Sequence, residues 1–263
     1  MPHPLPTSAP QRADTGGSVV SGCAAARFRV LIGCEYSATV RDAFRARGFD
    51  AWSCDLLPTE GDPRWHIQGD CRDAINGPWD LIILHVPCTG MAVCGNRTYG
   101  MGKPLYFQRV EAIGWTLGTV ELAMANAPHV ALENPASVIF PTLRNAFNAD
   151  VQYVQPWQHG HPEQKKTGLA LWDLPRLIPT KDVRTEMMAL PRKDRERVFF
   201  MSPGPDRGKE RARFYTGLAE AMADQWGDFL LNARPCDNRG GSGADVPSFH
   251  STTHSPEAQQ DHV

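Results

Sequence analysis

The sequence predicts an α/β protein built on a mostly parallel sheet with helices on both faces. Three observations carry that prediction. Apolar runs of strand length alternate with longer amphipathic stretches between residues 29 and 230. The most apolar run, Asp80-Leu-Ile-Ile-Leu-His-Val86, suits a strand covered on both faces. And 41% of the 263 residues are apolar, enough to bury a core of ordinary size in one domain or two small ones.

Residues 29–34 form the first strand. Residues 39–47 place Val40 and Phe44 four apart and run into Gly48, so they read as a helix with a C-terminal stop. Residues 50–57 are a second strand, 65–68 a short third and 80–86 the fourth. Residues 107–126 are helical, 129–132 give a fifth strand and 151–154 a sixth. Residues 217–230 form a final amphipathic helix with Leu218, Met222, Trp226 and Leu230 on one stripe. The flanks differ. Residues 1–26 hold four prolines among small polar residues, and 233–263 end in a Ser/Thr/His/Gln-rich tail. Neither buries enough apolar surface to offset its ordering entropy, so both are expected to be disordered.

Composition excludes several classes. Lys+Arg number 27 against Asp+Glu 29, a net charge of −2, so the chain is no global polycation. No apolar stretch approaches the roughly 18 residues of a membrane span, and the N-terminus lacks a secretory pattern. Seven cysteines without a CxxC pair argue against a disulfide scaffold or zinc ribbon, and for reduced thiols in a cytoplasm. Charge is uneven, however. Residues 163–213 hold 13 Lys+Arg against 8 Asp+Glu, a local +5 in a chain of −2.

Parallel sheets bind ligands at the carboxyl ends of their strands, and several such ends carry chemistry here. The first runs into Cys34-Glu35-Tyr36-Ser37. Asp55 closes the second and Asp70 follows the third, where carboxylates can accept from ribose hydroxyls and an adenine amino group. Pro87-Cys88 follows the fourth, and Glu133-Asn134-Pro135 the fifth. A lone cysteine is more often an inert packing residue than a nucleophile. A carboxylic acid at the neighbouring strand end alters that balance, because a thiol and an acid in one pocket supply covalent attack and proton donation. Cys34, Cys54 and Cys71 read as packing residues near strand ends, and His85 as a strand residue. His159-Gly-His161 with Glu163 lacks a fourth ligand for a metal. Trp157 and Trp172 read as core residues that could otherwise stack on a base.

Taken together, these residues resemble the DNA (cytosine-5)-methyltransferases. The closer likeness is to a divergent short branch of methyltransferase-like proteins from bacteria and phages. It is carried by Pro87-Cys-Thr89, Glu133-Asn-Pro135 and Trp157-Gln-His-Gly-His-Pro-Glu-Gln-Lys-Lys-Thr167, and it runs from about residue 29 to 227. The resemblance implies a Rossmann-like S-adenosylmethionine-dependent methyltransferase fold with a much reduced target-recognition region. It divides the chain into a catalytic core (27–167), a small basic DNA-contact region (168–213) and a helix completing the core (214–232). It implies S-adenosylmethionine as cofactor, no metal, and as substrate a cytosine flipped out of DNA. Cys88 would be the nucleophile and Glu133 the acid. Glu35, Tyr36, Ser37, Asp55, Leu56, Asp70 and Pro87 would line the cofactor site, and Asn134, Gln158, Lys165 and Lys166 the substrate side.

The chain departs from the family pattern in two places. The glycine-rich first loop is here Cys34-Glu-Tyr-Ser-Ala-Thr39, with no glycine to let a cofactor approach backbone. The Gln-x-Arg-x-Arg element is missing, with Gln158, Lys165 and Lys166 in its place, and lysine lacks the planar fork of arginine. These gaps favour a second reading, a catalytically inactive DNA-binding homologue; related modification of cytosine in RNA is a further alternative. Restriction, phage protection and regulation are all compatible biological roles.

Overall fold

A computed structural model of the chain describes residues 28–204 and 207–233. The flanks expected to be disordered lie outside the described residues, apart from Ala233 at the end of the last helix.

One seven-stranded sheet organises the molecule. The first half runs β1 (Arg29–Gly33), α1 (Thr39–Ala46), β2 (Asp50–Asp55), β3 (His66–Gln68), α2 (Cys71–Ile75) and β4 (Leu81–Leu84). The second half runs α3 (Asn96–Tyr99), α4 (Tyr106–Asn126), β5 (His129–Pro135), α5 (Phe140–Phe147), β6 (Asp150–Val154) and β7 (Thr167–Trp172). Four short helices follow, α6 (Arg184–Ala189), α7 (Arg192–Arg195), α8 (Arg197–Phe200) and α9 (Arg207–Ala212), before α10 (Thr216–Ala233). The strands lie in the order β3-β2-β1-β4-β5-β7-β6. The first five pair in parallel, and β7 is inserted antiparallel between β5 and β6. This is the expected α/β class, a Rossmann-like methyltransferase fold.

The sheet buries apolar residues on both faces, as strands of a parallel sheet must. On one side Leu31, Ile82, Leu84, Val130 and Leu132 pack with Val120 and Ala123 of α4 and with Phe140 and Leu143 of α5. On the other, Val30, Ile32, Leu81, Ile83 and Ala131 pack with Val40 and Phe44 of α1 and with α10. The predicted stripe Leu218, Met222, Trp226 and Leu230 is the face of α10 that covers this layer, and none of the four is more than 2% exposed. Each such side chain contributes about 1.5–3 kcal/mol by leaving water.

Two expectations are corrected. The boundary at 167/168 falls inside β7, whose six residues are all buried and which pairs with both β5 and β6. The sheet of the expected core therefore extends to Trp172, and Trp172 itself is core, its indole Nε1 donating to the Phe147 carbonyl (2.7 Å). The fifth strand is also longer than its apolar run. Antiparallel pairing with β7 carries it through Glu133, Asn134 and Pro135, so Glu133 lies within the strand, opposite Leu169. Among the described residues no helix is long and apolar enough to cross a membrane.

Candidate active site

Strands β4 and β5 are paired, with Leu84 opposite Leu132, so the residues after them meet at one edge of the sheet. His85 prolongs the strand by one bond, its backbone N–H donating to the Gly33 carbonyl (2.9 Å). The Asn134 side chain, fully buried, donates from Nδ2 to the Val86 carbonyl (2.9 Å), tying the Val86-Pro87-Cys88 turn to β5. Beyond Pro87 the Cys88 carbonyl accepts from the N–H groups of Met91 and Ala92, closing a tight turn. Arg109 of α4, itself buried, pins the next segment by donating from Nε to the Gly90 carbonyl (2.6 Å) and from Nη1 to Asn96 Oδ1 (2.9 Å).

A cavity opens at this edge. Its walls bring together Cys34, Glu35, Tyr36 and Ser37 after β1, His85 and Cys88 after β4, and Glu133 and Pro135 of β5. Lys165, just before β7, and Arg211 and Phe214, around the end of α9, complete it. The thiol and the carboxylic acid singled out in the sequence therefore share one pocket. Burial pushes the Cys88 thiol up from its ordinary value, the nearby Glu133 adds to this, and Lys165 opposes it. The Lys165 ammonium is itself lowered by burial, and Glu133 and Cys88 support its charge. It donates to the carbonyls of Arg211 (2.9 Å) and Arg213 (3.4 Å), which ties the strap at 207–214 over the pocket. Glu60 tethers the same strap from outside through Lys209 (2.6 Å) and Arg213 (3.4 Å).

The first loop keeps a glycine-like path without glycine. Cys34 and Ala38 both adopt left-handed backbone, with φ of 60° and 62°. Such conformations cost an ordinary residue roughly 1 kcal/mol or more, and surrounding contacts must hold them. Cys34 lies with its Sγ 3.5 Å from Cys71 Sγ. Glu35 reaches under the loop to cap α1, accepting from the N–H groups of Val40 (2.7 Å) and Arg41 (3.2 Å). It stands where Ala38, the residue at the helix N-cap, has no side chain to offer. Burial pushes the Glu35 carboxyl up, with His85 and the two amides pulling it back.

The carboxylates expected at an adenosine site are placed differently from one another. Asp55, half-buried, accepts from the Leu57 N–H through Oδ1 (2.9 Å), while Oδ2 is free of hydrogen bonds among the described residues. Leu56 beside it is 73% exposed. A free carboxylate oxygen next to an exposed apolar surface fits a ribose and the flat face of an adenine. Asp70 instead caps α2: Oδ1 accepts from the Arg72 N–H (2.9 Å) and Oδ2 from its guanidinium (2.9 Å), which holds the carboxyl below its usual range. The donor set of β1 and β2 thus fits S-adenosylmethionine, and both Asp70 oxygens are already engaged.

Other expected residues lie outside the cavity. Pro87 faces α4 beside Trp115. Gln158 closes a local turn by accepting from the Gln155 N–H (2.7 Å). The Lys166 ammonium sits 4.2 Å from the Tyr153 ring centroid. His159 pairs with Thr180, His161 accepts from the Gly217 N–H, and Glu163 binds Arg197 and Tyr215, so all three are committed to holding loops and α10. Conversely, sequence reasoning missed His85 and Phe214. His85 reads as one more residue of an apolar strand. Phe214 lies 81 positions beyond Glu133, with no local pattern to mark it.

The sheet order and this pocket define the chain as an α/β protein of the methyltransferase fold. No protein-family model and no curated protein sequence matches it. Solved structures similar to it include methyltransferases. One is a putative DNA modification methyltransferase encoded within a prophage, from E. coli, 15% identical over 63% of this chain and 56% of that one, TM-score 0.40. Another is the S. pombe Dnmt2 methyltransferase, 12% identical over 62% and 54%, TM-score 0.41. A third is the Entamoeba histolytica methyltransferase EhMeth, 10% identical over 59% and 57%, TM-score 0.39. The matched region spans a little over half the length of these proteins.

Proposed function

We propose that the chain methylates carbon 5 of cytosine in DNA, using S-adenosylmethionine. The observation that carries this reading is the convergence of Cys88 and Glu133 on one buried pocket from adjacent strand ends. When bound, S-adenosylmethionine supplies an electrophilic methyl group. Asp55 would accept from the ribose hydroxyls, Leu56 would cover the adenine, and the loop of Glu35, Tyr36 and Ser37 would border the methionine end. The target cytosine leaves the duplex to enter the pocket. Cys88 attacks carbon 6 as thiolate while Glu133 protonates ring nitrogen 3, so the ring's electrons collect at carbon 5 without net charge on the base. Carbon 5 would take that methyl group, and its proton would pass to solvent as Cys88 is eliminated. Lys165 supports the thiolate at the moment of attack, because its ammonium favours the charged form of Cys88. Exclusion of water by the strap keeps these charges strong.

The decisive experiment is trapping with a duplex containing 5-fluorocytosine, whose carbon 5 has no proton to lose. With S-adenosylmethionine present, the protein forms a covalent adduct that denaturing gels resolve, and Cys88→Ser forms none. A wild-type protein that leaves the duplex free sinks the proposal.

A further inference from the structure

This inference rests on the cytosine reading above and concerns how Glu133 is held and supplied with a proton. His85 Nδ1 lies 3.1 Å from Glu133 Oε2, and each side chain is 11% exposed. The other ring nitrogen, Nε2, is buried and has no hydrogen-bond partner among the described residues, although His85 lines the cavity. The ring cannot easily turn away. Its backbone N–H is bonded to Gly33, and its edge packs on Phe214 at a centroid distance of 4.8 Å and an angle of 74°. A histidine kept for packing alone has no reason to leave a buried nitrogen unsatisfied at a pocket wall, since that costs about 1–3 kcal/mol. Charged and titratable groups from several elements line the same cavity. Glu133 stands on β5, Glu35 after β1, Cys88 beyond the turn, Lys165 before β7, and Arg211 on the strap.

We infer that His85 is a positioning residue for Glu133, fixing its carboxyl through Nδ1 and passing to it, through Nε2, the proton that Cys88 releases on attack. The proton count closes. Forming the bond from Cys88 to carbon 6 frees one proton into the pocket, and protonation of ring nitrogen 3 consumes one from Glu133. A proton accepted at Nε2 lets the Nδ1 proton move to Oε2 as the carboxyl gives one to the base from its other oxygen. Imidazole ends neutral, as it began, with its proton on Nε2 in place of Nδ1. Elimination of Cys88 runs the same path backward and resets the tautomer. The resting state is then defined: a proton on Nδ1 directed at Glu133, and a bare, buried Nε2.

Two measurements on the full chain test this. Long-range proton–nitrogen NMR on protein labelled at histidine reads the His85 tautomer without any need for activity. The expected resting signal is a protonated Nδ1 and a bare Nε2 at pH 7, and the reverse tautomer overturns the inference. The second is the rate of adduct formation with 5-fluorocytosine DNA. His85→Ala is expected to slow it about a hundredfold, the scale of a lost acid–base group, with DNA affinity changed less than about threefold. His85→Asn, which can place an N–H near the position of Nδ1 but cannot relay, is expected to recover about tenfold of that loss. Thermal melting and S-adenosylmethionine titration check that the variants fold. His85→Ala reacting within about threefold of wild type overturns the inference while leaving the cytosine reading standing. A wild-type protein that shows the expected tautomer but forms no adduct overturns the cytosine reading, and the His85 proton path with it.

Discussion

In the proposed reaction, Cys88 and Lys165 set the reactivity of the pocket. A nucleophilic thiol must become a thiolate, and this one is pushed the wrong way, first by burial and then by Glu133, with Lys165 as the opposing influence. The sign of a substitution follows. Lys165→Met removes the cation that opposes them and raises the Cys88 thiol further, so at pH 8 less of it is thiolate. Alkylation of Cys88 by iodoacetamide is expected to slow about three- to tenfold, since the thiolate fraction falls about tenfold when the pKa rises by one. Its pH profile should move upward. Cys94, which is exposed, provides an internal reference in the same digest. Equal rates for Cys88 in wild type and Lys165→Met would show that the lysine acts on the strap alone. Of these residues, Cys88 and Glu133 could be read from the chain because each sits near a proline at the end of an apolar run. His85 could not, because a histidine inside such a run has no signal until the register of β5 places Glu133 against it.

At the scale of elements, β7 shows where reading the chain stopped and why. Its sequence, Thr-Gly-Leu-Ala-Leu-Trp, is six residues long, contains a glycine and lies between a lysine pair and a charged stretch, so local charge masked a fully buried strand. β1, β4, β5 and β6 are readable because each carries an apolar run. The extent of β5 is not, because only its pairing with β7 carries it past Leu132. Gly168 explains the strand's composition. A Cβ there would overlap Cζ of Phe140, which is 1% exposed and closed in on all sides. Gly168→Ala forces the α5 ring or the strand to shift, a strain of about 1–3 kcal/mol. At roughly 2–4 °C per kcal/mol for a protein of this size, the melting temperature should fall by about 2–12 °C. Phe140→Leu in the same background should restore part of the loss, because it removes the ring atoms in the way. An unchanged melting temperature for Gly168→Ala would mean that β7 and α5 are less closely packed than the structure places them.

At the scale of the molecule, the charge distribution decides how DNA would be held. By sequence, the 13 cations of residues 163–213 offer a broad phosphate-binding face. Folding withdraws many of them. Arg176 pairs with Asp150, Arg192 with Glu196, Arg197 with Glu163, and Lys209 and Arg213 with Glu60. Lys165 is turned to the pocket, and Arg195 and Arg207 donate to backbone carbonyls. Exposed cations with no ion pair among the described residues reduce to Lys166, Lys181, Arg184 and Lys193. Binding that engages about four phosphates predicts a plot of log affinity against log salt with a slope of about −3 to −4. Fluorescence anisotropy with a short duplex across sodium chloride concentrations measures it. A slope steeper than about −6 would mean that the internal ion pairs open to meet DNA, since each added phosphate contact contributes about −0.9. Phosphate contacts also carry no sequence information, and specificity needs side chains that reach base edges. With β7 part of the main sheet, the described region between it and α10 is four short helices, too small to read a long site. Bisulfite sequencing of DNA from cells expressing the protein should therefore show methylation at a short or relaxed motif. Methylation confined to a motif longer than about six base pairs would require base-reading contacts that this surface does not provide.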